Sequence, residues 1–300
     1  MAVRSAQSAA SSKATAPPRT GKPPRRLPSL KTALIAAVAY IVAIIFLLPY
    51  LEMLVTSVRP SKELYARNYL PAHFAWSNLT NMWGSAYGIL SSLRVSIEIA
   101  LGATVLVLLV SLPAAYYTSR RRFRGRGWFL LLVLATQMLQ PVALIVGIYK
   151  QFLNLGLLNI NPVWSLILVN AGFNLAFAIW ILNAYFSSIP VELEEAAMVD
   201  GHSRLGAMFK ITLPLAMPGV VTALIFTFIA AWNEFISALV LVQNTSEYPL
   251  TVRMDSFIGA YQVDWQHLFG ASVIATIPVF ILFALIEGRV VGGLTAGSIK

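Results

Sequence analysis

An all-α membrane protein of about six transmembrane helices is the fold class this sequence predicts, and three observations predict it. Of the 300 residues, 58% are hydrophobic and only 11% charged, against about 25% charged in ordinary soluble domains. The mean hydropathy is +0.72. The apolar residues gather into six runs of membrane-crossing length, separated by short polar segments that hold most of the Lys and Arg. Roughly 20 apolar residues are needed to cross about 30 Å of hydrocarbon as a helix, and the windows 33–51, 95–118, 128–149, 162–186, 215–242 and 268–286 qualify.

The segment 1–29 precedes the first run. It is rich in Ala, Ser, Pro, Lys and Arg, with Pro17-Pro18 and Pro23-Pro24 and almost nothing large and apolar to bury, so it is predicted to be a disordered basic tail. The run after it is longer than the apolar stretch of a usual signal peptide and lacks a clear small-residue cleavage site, so it reads as a retained first span. Residues 30–300 then form one membrane domain, with no internal repeat and loops too short for a soluble domain.

An even number of spans puts both termini on one side. The N-tail, 120–127, 187–214 and the C-terminus hold 7, 5, 2 and 2 Lys and Arg, whereas the opposite loops hold 4, 1 and 1. Positively charged loops stay inside, which places both termini in the cytoplasm with Arg120-Arg121-Arg122-Phe123-Arg124 as the strongest anchor. Pro49, Pro113, Pro141 and Pro278 lie in or near spans, where a missing N–H kinks a helix unless neighbours satisfy the freed carbonyl.

Composition also excludes chemistry. The net charge of +10 is bunched beside apolar runs rather than spread over one polar face, which argues against a nucleic-acid partner. Without cysteine there is no disulfide, thiolate metal site or cysteine nucleophile. His73, His202 and His267 show no ligand spacing, and no catalytic or metal-binding constellation is expected.

The loop 188–214 is the one long inner segment that reads as structured. Pro190 suits a first helical turn, and Glu192, Glu194 and Glu195 set negative charge against the positive end of a helix dipole. Asp200-Gly201 offers a left-handed helix stop, Ser203 can cap a second short helix running toward Ile211, and Pro214 bars simple continuation into span five. Ala196 and Ala197 allow close approach of another backbone beside apolar Leu193, so the unit reads as a docking element. The other reading is an amphipathic helix lying in the headgroups, but such helices favour Lys and Arg on their polar face, and the first helix here carries three glutamates and no basic residue.

Glu195-Ala196-Ala197, three residues, Gly201, nine residues, Ile211, one residue, Leu213-Pro214 resembles at every named position the EAA signature of ABC importer permeases. The resemblance implies a pair of coupling helices seated in a groove of a cytoplasmic ATPase, with Glu195, Ala196, Ala197, Asp200 and Gly201 as contacts and Ile211 and Pro214 closing the motif. Trp232-Asn233-Glu234-Phe235 with Ala238-Leu239, and the tail Gly293-Leu294-Thr295-Ala296-Gly297-Ser298-Ile299-Lys300, are similar to the carbohydrate branch and its MalG-like subunit type. That tail would be a second ATPase contact. The departures, His202 where a small residue is common and Ser91-Ser92-Leu93-Arg94 in place of an Asn-Ser pair, bear on substrate rather than on family. By this resemblance the chain is half of a sugar pathway in a bacterial plasma (inner) membrane. Its partners would be a second permease subunit in a heterodimer, two copies of an ATPase subunit, an extracytoplasmic sugar-binding protein and membrane lipid. The substrate class is a di- or oligosaccharide or a related polyol or glycerol phosphate.

No G-x-x-x-x-G-K-[ST] loop occurs, and the one Gly-Lys, Gly21-Lys22, is followed by Pro. ATP and Mg would therefore belong to partner subunits, and the chain is expected to be no enzyme and to carry no cofactor.

Ionisable groups in a span face protein or water, because each costs about 2.5–3.5 kcal/mol on insertion scales. Asn233 and Glu234 are candidates to line a pathway, with Asn174 and Trp232 as the amide and aromatic faces a sugar would need. Glu98 reads instead as the partner of Arg94, four residues away on one helix face. Trp76, Trp83, Trp128 and Trp164 read as interface anchors. The outer loop 243–267, with Tyr248, Tyr261 and Trp265, resembles in position a loop that reaches into the binding protein, and an ordinary connector is the other reading.

Two further classes fit the sequence less well. A membrane enzyme would want clustered carboxylates, whereas Asp200, Asp255 and Asp264 fall on opposite faces. An ion-coupled secondary transporter could use Glu98 and Glu234, but it would usually show inverted repeats and discontinuous helices.

Overall fold

The computed structural model describes residues 30–64, 68, 70–84 and 87–296. The basic tail 1–29 and the last four residues of the C-terminal motif, 297–300, lie outside them. The described regular structure is helical, apart from an isolated antiparallel bridge between Ile258 and Val263.

The chain divides after Leu48 into two units. The first is the apolar start of α1 (Leu30–Ser57), whose Leu34, Ile35, Ile41 and Phe46 are all exposed. Such a surface calls for lipid or another membrane protein to cover it, and the helix satisfies its own backbone.

The second unit begins at Pro49, inside α1. After α2 (Ser77–Asn81) comes α3 (Ile89–Arg120), 32 residues long. Its buried stripe is built mostly of small residues: Ser92, Ser96, Ala100, Ala103, Val107, Ser111, Ala115 and Thr118 recur every three or four positions. Small residues let a second helix approach closely where lipid removes the hydrophobic drive for association. Two threonines bond back to their own helix, Thr104 Oγ1 donating to Ala100 O at 2.6 Å and Thr118 Oγ1 to Ala114 O at 2.8 Å, whereas Ser92 Oγ and Ser96 Oγ accept from Arg253 and from the Leu250 N–H.

The third expected span is not straight. It is α4 (Arg126–Thr136) followed by α5 (Pro141–Asn154), with a 95° bend between them. Gln140 is extended, at φ −68° and ψ 132°, because a residue before proline is pushed out of the helical region. Gln137 in the break donates through Nε2 to Phe173 O at 3.2 Å. A turn, α6 (Leu157–Ile160), leads into α7 (Pro162–Ser188), whose Asn161 side chain caps the Val163 N–H at 2.8 Å.

α7 packs along α3. The loop that follows carries α8 (Glu192–Val199), α9 (Arg204–Ala207), a π-helical stretch Met208–Thr212 and α10 (Leu213–Leu215). Helical backbone runs through Pro214 but does not continue simply into the fifth span. The wider π-helical turn ahead of Pro214 accommodates its missing N–H, and the chain turns instead at Ala216, where 204–215 meets α11 (Met217–Trp232) at 74°. Pro218 sits in the first turn of α11, where an N–H is not needed.

The fifth window, 215–242, is broken as well. α11 ends at Trp232 and α12 (Ile236–Leu241) restarts beyond Asn233–Phe235. α13 (Leu250–Asp255) and α14 (Trp265–Ala296) complete the unit. Among the described residues four helices are long and apolar enough to cross a membrane, and six spans result if each bent pair counts as one. Helices α3, α7 and α11 form the centre: Val107, Ala115, Ala178, Leu182, Phe186, Ala216 and Ala223 bury one end, and Val95, Ile99, Leu166, Val169, Ala238 and Leu241 the other. Pro49, Pro113 and Pro278 all lie inside continuous helices.

Candidate coupling site

The 188–214 loop is held to the helix core by one buried carboxylate. Glu194, in the first turn of α8, is 5% exposed. Its Oε1 accepts from Arg120 Nε at 2.7 Å and from Thr212 Oγ1 at 2.5 Å, and its Oε2 accepts from Tyr116 OH at 2.8 Å. Arg120 also donates through Nη1 to Ile189 O at 3.0 Å. Both members of the ion pair have side chains 6% exposed. Burial works against the charge on Glu194, but the hydrogen bonds from Thr212, Tyr116 and Arg120, with the Arg120 charge, outweigh it and hold its carboxyl below the ordinary glutamate range.

The helix stop is as the sequence predicts. Gly201 has φ +90°, His202 N–H donates to Ala197 O at 3.0 Å and Gly201 N–H to Met198 O at 3.1 Å, the two bonds of a Schellman motif. Ser203 caps the next helix, its Oγ accepting from Gly206 N–H at 3.1 Å.

The motif residues divide between two faces. Glu195, Ala196, Asp200, Gly201 and Pro214 are exposed, with Val199 and Leu205 beside them, and Ile211 is half-buried. Ala197 turns inward, 7% exposed, because it lies three residues after Glu194 on the same face of α8. It is withdrawn from the face on which Glu195 and Ala196 stand.

The residues expected near a pathway are also separated. Trp232 is buried, donates through Nε1 to Ala275 O of α14 at 3.2 Å and stacks on Phe228, so the structure places it in packing rather than on an open face. Asn233 is exposed. Both oxygens of Glu234 cap α12, accepting from the N–H groups of Ser237 at 2.8 Å and Ala238 at 3.2 Å. Asn174 is half-buried and donates to Asn170 O of its own helix at 2.8 Å. A narrow gap between Ser96, Asn170, Trp232 and Glu234 has about 10 Å³ available to a water. Arg94 and Glu98 pair at 2.7 Å on an exposed helix face.

Sequence reasoning missed Arg120, Tyr116, Thr212 and the inward role of Glu194. In sequence Arg120 belongs to the basic run that anchors topology, and Glu194 to a trio of glutamates that oppose a helix dipole. The available signal was spacing, since Glu194 and Ala197 share a helix face opposite Glu192, Glu195 and Val199.

A broken-helix membrane bundle with a capped helix pair outside its spans is the architecture of a transporter's membrane subunit, and comparison with known proteins assigns the class. Residues 108–291 match the family described as binding-protein-dependent transport system inner membrane component, and the chain belongs to that family. It is a multi-pass membrane permease subunit of an ABC importer, not an enzyme. It is 34% identical over 262 residues to the probable ABC transporter permease protein YurM of Bacillus subtilis, covering 87% of this chain and 85% of that one. It is 32% identical over 273 residues to the trehalose/maltose transport system permease protein MalG of Thermococcus litoralis, covering 90% and 98%. In fold it is similar to a chain in the crystal structure of a bacterial ABC transporter involved in the import of the acidic polysaccharide alginate, with a TM-score of 0.72, 24% identity and coverage of 88% and 99%. Membership of this family leaves the ion-coupled secondary carrier without support.

Proposed function

We propose that this permease forms half of a carbohydrate pathway and is driven through its 188–214 loop by a partner ATPase. The complete importer would contain a second permease subunit, two ATPase copies and an extracytoplasmic sugar-binding protein. The observation that carries the reading is the division of α8 into two faces. Glu194 and Ala197 fix it to the core, which leaves Glu195, Ala196, Asp200 and Gly201 presented outward beside exposed Val199 and Leu205. An apolar patch with acidic and backbone groups at its edge suits a protein groove better than headgroups, which attract Lys and Arg.

A carbohydrate cargo, such as a di- or oligosaccharide or a related polyol, is supported by relatives whose names specify trehalose/maltose and alginate. Asn233, at the break between α11 and α12, and Asn174, on α7, are the amides proposed to face it, with Glu234 setting the break and Trp232 packed behind. The lysine and arginine distribution supports cytoplasmic termini. The absence of a phosphate loop supports ATP and Mg binding on the partner.

Affinity purification of the tagged chain from its native membrane in mild detergent, followed by mass spectrometry, tests the assembly. A P-loop ATPase and a second permease in the recovered complex are expected. A homo-oligomer without an ATPase would overturn the reading. Substitution of exposed Glu195 by Lys should reduce ATPase recovery at least tenfold while leaving the permease in the membrane.

A further inference from the structure

We propose that the Arg120–Glu194 ion pair is a clamp that makes the docking helix α8 and the spanning helix α3 move as one body, with Glu194 as a positioning residue. This rests on the reading of the 188–214 loop as the ATPase dock. By chain connection α8 is tied backward to α7 through 189–191 and forward to 204–215 through the Gly201 turn. Neither route reaches α3. A helix of eight residues on two short tethers would swing when pushed, because isolated helices of that length are marginal and carry no rigidity of their own.

Glu194 closes the missing route. One carboxylate takes hydrogen bonds from Tyr116 and Arg120 in the last turns of α3 and from Thr212 in the π-helical stretch. Arg120 in turn holds the exit of α7 at Ile189 O. A few residues above, Asn183 Nδ2 donates to Thr118 Oγ1 at 2.8 Å and ties α7 to α3. The last turns of α3 and α7, α8 and the Thr212 region therefore share one hydrogen-bonded node. Apolar contact is non-directional and lets surfaces slide, whereas charge-assisted bonds fix orientation. A buried ion pair is weak support for stability against an apolar substitute, so its placement here points to fixed geometry. The chain turns by 74° into α11 at Ala216, just beyond the node, and the pivot of the proposed motion is that bend. A push on the exposed face of α8 would rotate α3 and α7 together relative to α11.

The chain has no cysteine, so spin labels can be placed at will. The complex recovered with its ATPase would be labelled at exposed Leu109 of α3 and Phe226 of α11, and the distance change on trapping with ATP, Mg and vanadate measured by pulsed electron resonance. Glu194→Gln should retain the ATPase and its hydrolysis but lose at least three quarters of the wild-type distance change. The milder Tyr116→Phe should show an intermediate loss with full assembly, and the exchanged pair Arg120→Glu/Glu194→Arg should recover at least half of the wild-type change. A full distance change in Glu194→Gln would overturn the clamp. So would loss of the ATPase from Glu194→Gln and Tyr116→Phe alike, which is what a merely structural bond predicts. A wild-type chain that recovers no ATPase would overturn the docking reading instead. The clamp is then decided by hydrogen exchange of amides 192–215 in the purified chain, where at least tenfold faster exchange in Glu194→Gln supports it and unchanged exchange overturns it.

Discussion

The ring of Tyr185 lies against the backbone of Gly219, so closely that a Cβ at position 219 would come within 2.4 Å of Tyr185 Cγ. The contact seats the first turn of α11 on α7 beside the Ala216 bend. A methyl group there forces either the ring or α11 to move.

Gly219→Ala should therefore destabilise the chain by about 1–3 kcal/mol, the usual cost of overpacking a well-filled core. The fall would be read as a lower melting temperature in detergent. Combining it with Tyr185→Ala should recover part of the loss, since the clash is then gone. Additive losses in the double variant would show that the ring is not what the methyl meets.

Gly201 poses the opposite problem. Nothing lies within 4 Å of a Cβ built there, but φ is +90°, so the cost is conformational rather than steric crowding. Gly201→Ala should cost about 1–2 kcal/mol, and Gly201→Asn less, because Asn tolerates positive φ. Gly201→Pro should fail altogether, since proline fixes φ near −65° and removes the N–H that bonds Met198 O. ATP-driven transport equal to wild type in Gly201→Pro would refute the assignment of this turn to coupling.

Gly201 was legible in the sequence because a helix stop is a local event, set by Asp200-Gly201 and the Ser203 cap within a few residues. The apolar windows were legible for the same reason, since span length is a property of contiguous residues. Bends were not. Hydropathy sums do not register direction, so Gln137–Gln140 and Asn233–Phe235 disappeared inside windows 128–149 and 215–242, although Gln140-Pro141 held a usable signal. Least legible was which of the three neighbouring glutamates turns inward. Glu194 is distinguished by Arg120, 74 positions away, and only the packing of α3 on α7 brings the two together.

Protonation of Glu194 should loosen the node. Its folded carboxyl titrates below the ordinary value of 4.5, so the unfolded chain binds that proton at the higher pH. The stability it contributes is fully present above about pH 4.5 and is lost as pH falls through the folded value. Wild-type melting should thus hold between pH 7 and 5 and fall below that, while Glu194→Gln, lower by about 3–5 kcal/mol at neutral pH for leaving Arg120 buried without its partner, should converge on it in acid. A constant gap between the two curves down to pH 3 would mean that Glu194 is not the titrating group.

Thr118→Val tests the tie between α7 and α3. The isosteric change removes the acceptor of Asn183 Nδ2, leaving only Ala115 O at 3.4 Å. A buried donor so weakened costs about 1–3 kcal/mol. Asn183→Leu on the Thr118→Val background should regain stability, because removing both partners of a buried bond is far cheaper than removing one.

Glu234 separates a structural role from a pathway role most sharply, because its side chain has a visible structural duty. Both oxygens cap α12 through Ser237 and Ala238, and its carbonyl accepts from Thr251 Oγ1 at 2.9 Å. Glu234→Gln keeps one acceptor oxygen and removes the negative charge that favours a helix N-terminus; Glu234→Ala removes both acceptors and should cost about 0.5–2 kcal/mol, as a lost cap does. If capping is the whole of its role, Gln should lie between Glu and Ala in melting temperature, and the transport rate of each correctly assembled variant should follow that order. If the carboxylate also meets cargo, Gln should assemble normally but transport severalfold more slowly than its stability implies. The proposed position of Glu234 at the edge of the α11–α12 break leads us to expect the second pattern, with Asn233→Ala, which leaves the cap intact, showing the same kinetic loss. Wild-type kinetics in assembled Glu234→Gln and Asn233→Ala would confine both residues to the architecture of the break.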